Sequence, residues 1–129
     1  MKTCIIVCGS RDFTDYGVFR ETLDSLIWDL TDLEIISGQK DNIAKLAGRY
    51  ADERGIRHTD KWYYISDDRI RNALMLKYAA ASDTAFVAAF CECHDQDIES
   101  MINLARSEGV SVYISKPGDK NEDDSNIGN

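Results

Sequence analysis

Apolar positions along the chain follow two periods. Short, largely apolar runs occupy residues 3–8, 33–36, 56–60, 84–90 and 110–114, and each predicts a strand. The run Thr84 to Phe90 is apolar almost throughout, which suits a central strand covered on both faces. Between these runs apolar residues return at three- and four-residue spacing. Phe19, Leu23, Leu26, Ile27 and Leu30 predict a helix over 15–30, with Asp15 as its N-cap. Ile43, Leu46, Ala47, Tyr50 and Ala51 predict a second over 42–54, stopped by Gly55. A third, over 67–81 with Asp67 near its start, would turn Ile70, Leu74, Tyr78 and Ala81 inward. A fourth, over 96–108, would bury Ile98, Met101, Ile102 and Ala105 and end before Gly109.

Strands and helices therefore alternate, which implies an α/β class, Rossmann-like three-layer fold. Right-handed crossovers reduce the topology to a five-stranded parallel sheet of order 3-2-1-4-5, flanked by helices. Such sheets bind ligands in the crevice at the carboxyl ends of the strands, where the strand order reverses. Here that point falls between the first and fourth strands. No internal repeat or linker divides residues 1–115, which read as one domain. Residues 116–129 are polar and acidic, with Pro117 and two glycines, and read as a flexible tail.

Composition narrows the function. A chain of 129 residues with 43% hydrophobic and 29% charged residues is an ordinary globular domain. No apolar run reaches a membrane span and the N-terminus lacks a signal-peptide pattern, so a cytoplasmic location is expected, without membrane contact. The net charge of -8 opposes direct nucleic-acid binding, which needs cations to neutralise phosphates. It serves solubility or docking on a basic host protein. The four cysteines, Cys4, Cys8, Cys91 and Cys93, are expected reduced in that compartment, with Cys4 and Cys8 on one face of their strand.

Three sets of residues carry candidate chemistry. The first strand ends in Gly9-Ser10-Arg11-Asp12. A glycine admits close approach of a ligand, serine offers a hydroxyl and arginine a planar fork for phosphate or carboxylate. With Ser37, Gly38, Arg71 and Asn72 these form a candidate ligand crevice, in which Arg11 and Arg71 would share an anion. The same residues also suit a plain turn and structural hydrogen bonds between loops. The second set is Cys8, Cys91, Cys93 and His94, but Cys-x-Cys-His is not a usual structural zinc spacing, so neither metal nor cofactor is expected. The third is His58 and His94, neither of which sits in a motif with Ser10 or Ser37, so a Ser–His hydrolase is not expected. The aromatics Trp62-Tyr63-Tyr64 could stack a base, cover a sheet edge or make a dimer contact.

The stretches Val7 to Tyr16, Ser37-Gly38, Lys45 to Ala51 with Glu53 to Ile56, Ile70-Arg71-Asn72 with Met75-Leu76, and Phe90 with Met101-Ile102 and Ala105 belong together. In their order and spacing they resemble the SLOG superfamily and, within it, the YspA-like proteins of bacteria and phages. The resemblance spans about residues 3–115. It implies a Rossmann-like fold that binds nucleotides or nucleotide-derived signals, and a homo-oligomer. Related LOG enzymes cleave a nucleotide's N-glycosidic bond, and DprA-like relatives bind single-stranded DNA. This chain departs from the pattern. Where the family's second loop reads Ser-Gly-Gly-x-x-Gly-Ala-Asp, it has Ser37-Gly38-Gln39-Lys40-Asp41-Asn42-Ile43-Ala44. At the fourth loop Cys93 stands at a glycine and Asp97-Ile98 at Gly-Thr, and Met101 holds the place of the catalytic Glu, with Glu99 displaced from it. A bare helix N-terminus binds phosphate, and an Asp there repels it. Glycosidase activity is therefore not expected.

Two readings follow. In one, the domain binds a nucleotide or nucleotide-derived signal without catalysis, through Gly9, Ser10, Arg11, Asp12, Ser37, Gly38, Arg71 and Asn72. In the other, the pocket is defunct and the domain is a protein-interaction module, for instance a phage-encoded inhibitor of a host nucleic-acid-binding or defence protein. The retained Gly9-Ser10-Arg11 and Arg71-Asn72 favour the first, and Asp41, Asp97 and the missing glycines the second.

Overall fold

The β-branched run at the start of the chain forms β1 (Thr3–Gly9), the middle strand of a five-stranded sheet. In chain order there follow α1 (Tyr16–Ile27), β2 (Leu33–Ile36), α2 (Asn42–Arg54), β3 (Arg57–Thr59), α3 (Asp68–Ala80), β4 (Thr84–Phe90), α4 (Gln96–Ser107) and β5 (Ser111–Ser115). This computed structural model describes residues 1–38, 41–91 and 96–115. The acidic stretch 116–129 and the Cys93-His94 pair lie outside them. All strand pairs are parallel, in the order β3-β2-β1-β4-β5. The architecture is thus the α/β Rossmann-like sheet that the alternation of periods implies. No helix among the described residues is long and apolar enough to cross a membrane.

Side chains of a strand alternate between faces, so the sheet divides its apolar residues into two cores. Ile5, Val7, Ile35, Phe86, Ala88 and Phe90 meet Phe19 and Leu23 of α1 and Tyr50 of α2. Cys4, Ile6, Ile36 and Val87 meet Met75, Leu76 and Ala79 of α3 and Met101 and Ala105 of α4. Trp62 joins the second core, edge-on to Tyr78 at 5.2 Å between centroids. It covers α3 and is not offered to a ligand, whereas Tyr63 and Tyr64 are exposed.

Among the described residues three helices start on an aspartate whose carboxylate accepts first-turn amides: Asp15 from Val18, Asp41 from Ala44, and Asp67 from Arg69 and Ile70. Gly55 closes α2 at φ +66°, a left-handed conformation that glycine adopts without a side-chain clash.

The structure corrects the expected inward face of α3. Its buried residues are Arg71, Asn72, Met75, Leu76 and Ala79. Ile70 is 54% and Leu74 39% exposed, Ala81 is exposed, and Tyr78 is half-buried. The reason is physical. The first turn of α3 presents two polar residues to the sheet, so the apolar residues alone do not mark its buried face. Smaller shifts occur at α1, which ends at Ile27, and at β5, which starts one residue later than predicted.

A polar knot ties the amino-terminal end of the sheet. Glu34 of β2 is buried, and it accepts from Lys2 Nζ at 2.7 Å, Tyr78 Oη at 2.7 Å and Thr59 Oγ1. Burial pushes its carboxyl pKa up, but these donors outweigh it and hold the group below the usual range. On the other face Arg54 grips Asp24 with Nη2 at 2.8 and 2.9 Å, and the Tyr50 hydroxyl donates to the same carboxylate at 2.5 Å. These bonds link α1 to α2 at the surface.

Candidate functional site

The loop after β1 is set by two anchors. Phe13 is fully buried, 5.3 Å from the Phe90 ring, and its amide closes a turn onto the Ser10 carbonyl at 3.0 Å. Asn42, the first residue of α2, donates from its side chain to the Arg11 carbonyl at 2.9 Å. The loop is thereby pinned at both sides, and Arg11 and Asp12 between the anchors are left exposed. Among the described residues the Arg11 side chain makes no hydrogen bond or ion pair.

Gly9 sits where three elements converge. A β-carbon there would lie 2.5 Å from the Ile43 side chain and 2.8 Å from the Phe90 carbonyl oxygen. The glycine is required by the approach of α2 and β4, with no ligand involved. Gly38 is less constrained: its β-carbon would meet Met75 Sδ at 3.2 Å and Arg71 Nε at 3.3 Å.

A cleft opens at the carboxyl ends of the strands. Gly9, Arg11 and Gly38 line it from the loops, Asp41 and Ile43 from α2, and Arg71, Asn72 and Met75 from α3. Ile98 and Met101 of α4 close it, with Val7 and Cys8 at its base. The volume bounded by the described residues is about 90 Å³.

Five of the eight residues singled out from the sequence meet here: Gly9, Arg11, Gly38, Arg71 and Asn72. Ser10 and Ser37 do not line the cleft. Ser10 is buried, with its amide on the Phe90 carbonyl at 2.9 Å and its hydroxyl 3.5 Å from the same oxygen. Ser37 is buried against β3, its hydroxyl 2.8 Å from His58 Nε2. Asp12 is exposed on the loop and does not line the cleft.

Arg71 is only 5% exposed and largely committed. Its Nη1 donates to the Ile65 carbonyl at 2.6 Å, and its Nη2 pairs with Asp68 one helical turn back. It thus fixes the turn before α3 while presenting one edge to the cleft. Asn72 differs. It is 7% exposed and lines the cleft, yet among the described residues its amide has no hydrogen-bond partner.

Asp41, Ile43, Met75 and Met101 line the cleft without having been singled out as site residues. Asp41 was recognisable in sequence only as a departure from a glycine-rich loop. The structure gives it a role, because its Oδ1 accepts the Ala44 amide at 3.0 Å and so occupies the amino terminus of α2 with the protein's own carboxylate. The Ser37–His58 contact had no local signal, since it depends on the β2–β3 register that sets Ile36 beside Thr59. Burial pushes the His58 imidazole pKa down, partly opposed by Asp60 and Asp52.

Cys4, Cys8 and Cys91 are in no disulfide, and burial raises the Cys4 pKa. Among the described residues no cluster of His, Cys, Asp and Glu could hold a metal ion. Cys93, His94 and the other cluster member Glu92 lie outside the described residues, as does the side chain of Asp97.

Residues 3–60, which carry β1, β2, β3 and the two helices between them, match the model of the YspA, cpYpsA-related SLOG family. Neither the curated proteins nor the solved structures contain a match to the chain.

Proposed function

We propose that the chain binds a nucleotide or nucleotide-derived signal in the cleft at the carboxyl ends of β1, β2 and β4, without turning it over. The match of residues 3–60 to the SLOG family model supports a nucleotide-related ligand-binding fold. The observation that carries the reading to this chain is Arg11. Its guanidinium stands exposed at the rim of the cleft, on a loop pinned by Phe13 and Asn42, with no ion pair among the described residues. A cation held at a switch point with no partner among the described residues suits an anionic ligand. Gly9, Gly38, Arg71 and Asn72 would form the walls around that ligand, with Asp12 beside it, while Ser10 and Ser37 hold the loops in place. The carboxylate that lines the cleft, Asp41, is engaged as a helix cap, and Met101, at the place the resemblance gives to the LOG enzymes' Glu, is a buried thioether that cannot transfer a proton. Both features favour binding over cleavage.

The test is a thermal-shift series with AMP, ADP-ribose, NAD and cyclic dinucleotides on the wild type and on Arg11→Ala. A ligand at roughly 100 times its dissociation constant stabilises by about 2.7 kcal/mol, which is several degrees in a domain of this size. The expected result is a shift that Arg11→Ala removes. A shift that Arg11→Ala leaves intact would overturn the role of Arg11, and no shift with any compound would overturn the reading.

A second reading has its own support. Tyr64, Ile70 and Leu74 are exposed on α3 and the turn before it, and α3 flanks the cleft. Exposed apolar side chains grouped in this way suit a protein partner or a second copy of the chain. Co-sedimentation of wild type and Ile70→Lys would test it, with a slower-sedimenting variant as the expected result.

A further inference from the structure

We infer that the enclosed part of the cleft takes the uncharged, hydrogen-bonding edge of a nucleoside base, and that any phosphate of the ligand stays outside, at Arg11. This rests on the binding reading above and deepens it.

Size sets the first limit. Pockets that enclose a whole small molecule run to roughly 300–1,000 Å³. This one holds about 90 Å³, which at ~30 Å³ per water is the room of a few waters. One edge of a ring enters, and the rest of a nucleotide must lie over the rim.

Charge decides which part enters. A phosphate needs bare amides or cations, and among the described residues neither the start of α2 nor Arg71 has these to spare. The amino terminus of α2 is capped by Asp41. The Arg71 charge is paired with Asp68 and its Nη1 is spent on the Ile65 carbonyl. The Asp41 carboxylate itself lines the cleft and repels an anion. The other cation among the described lining residues, Arg11, is exposed on its loop.

Asn72 supplies the positive argument. The Asn72 side chain is more than nine-tenths buried, lines the cleft and has no partner among the described residues; since none of their fully buried side-chain polar atoms is left unsatisfied, its amide opens into the cleft, where a ligand edge can replace water. Its NH₂ donates and its carbonyl accepts, the pair of functions that reads the edge of a base bidentately. Asp41 adds an acceptor, because the Ala44 amide takes Oδ1 and leaves Oδ2. The lining is polar for the larger part, and Met75, Met101 and Ile98 supply its apolar patch; thioethers make favourable contacts with aromatic rings. A donor, acceptors and an apolar patch together fit the edge of a base better than a phosphate.

The experiment measures binding of adenosine, guanosine, cytidine, uridine, their 5′-monophosphates and inorganic phosphate by calorimetry. The proteins are the wild type, Asn72→Ala and Asn72→Asp, whose fold is checked by the melting midpoint without ligand. At least one nucleoside is expected to bind the wild type, and both variants to weaken it about tenfold or more, the size of one bidentate amide–base pair. Inorganic phosphate alone is expected not to bind. The inference is overturned if nucleotides bind and nucleosides do not, or if the Asn72 variants bind a nucleoside as the wild type does. In those cases nucleotide binding itself stands. If no nucleoside or nucleotide binds, both fall. The comparison of nucleosides with phosphate uses the wild type alone, so it holds even where a variant fails to fold.

Discussion

Ser37 Oγ lies 2.8 Å from His58 Nε2, joining the end of β2 to β3. The pair has the composition of a catalytic dyad and the wrong exposure for one, because Ser37 is 1% exposed. The ring packs against α2, where a β-carbon on Gly48 would stand 3.5 Å from Nδ1. Its role is to hold the loop that carries Gly38 into the cleft.

The pH dependence of stability follows from that burial. The folded pKa of His58 lies below the ordinary value of about 6.5, first because burial disfavours the cation. Below about pH 6.5 the unfolded chain therefore takes up a proton that the folded chain resists. The contribution is fully present above that value and is lost as pH falls through it towards the folded pKa. Asp24 and Glu34 are held low by Arg54 and Lys2, with the hydroxyls beside them, so their contribution is lost only in the acid range, as pH falls through their folded pKa values. The urea midpoint is expected to fall between pH 7 and pH 5, and His58→Gln to flatten that slope. An identical slope in the variant would assign it elsewhere, His94 being the other histidine.

Gly9 offers a steric prediction. Gly9→Ala sets a methyl group 2.5 Å from Ile43 and 2.8 Å from the Phe90 carbonyl oxygen. The end of Ile43 can turn away, but the carbonyl belongs to β4 and is paired in the sheet beside β1. A loss of about 1–3 kcal/mol is expected, as for other overpacked sites. Urea unfolding measures it, and a variant as stable as the wild type would show that β4 moves freely there.

What the sequence made legible is what local periodicity encodes. The five strands, the four helices, their order in the sheet and the caps at Asp15, Asp67 and Gly55 all follow from patterns within a few residues. The loop after β1 was legible as a ligand loop, but not that Ser10 turns back onto β4 while Arg11 turns out. That depends on Phe13 entering the core beside Phe90, a contact across most of the chain. The Glu34 knot was hidden for the same reason: a Glu in a short strand gives no sign that Lys2, Thr59 and Tyr78 converge on it. On α3 the rule itself misled, because the residues facing the sheet at its start are Arg71 and Asn72.

The corrected face of α3 can be tested directly. Were Ile70 and Leu74 inward, a lysine at either would bury a charge and unfold the domain. They are 54% and 39% exposed. Ile70→Lys and Leu74→Lys are therefore expected to change stability by no more than about 0.5 kcal/mol, as surface substitutions do. Met75→Lys, one position round the helix and 2% exposed, is expected to abolish folding. Equal damage from all three substitutions would contradict the orientation of the helix.

Asp41 is where cap and cleft meet, and separating the two roles gives the sharpest test of why phosphate is kept out. Its carboxylate satisfies the Ala44 amide at 3.0 Å and lines the cleft. Asparagine caps a helix about as well as aspartate, so Asp41→Asn is expected to leave the melting midpoint unchanged, whereas Asp41→Ala costs about 1 kcal/mol. The charge is another matter. Two unit charges 4 Å apart repel by about 1 kcal/mol in water and about 4 kcal/mol at an effective dielectric near 20. Removing one is therefore expected to raise the affinity for nucleoside monophosphates about tenfold relative to the matching nucleosides, read by calorimetry as a ratio of dissociation constants. The ratio cancels any general change in the cleft, since both ligands carry the same base. An unchanged ratio with a stable fold would mean that the carboxylate does not keep phosphate out, and the small volume beside Asn72 would have to do so alone.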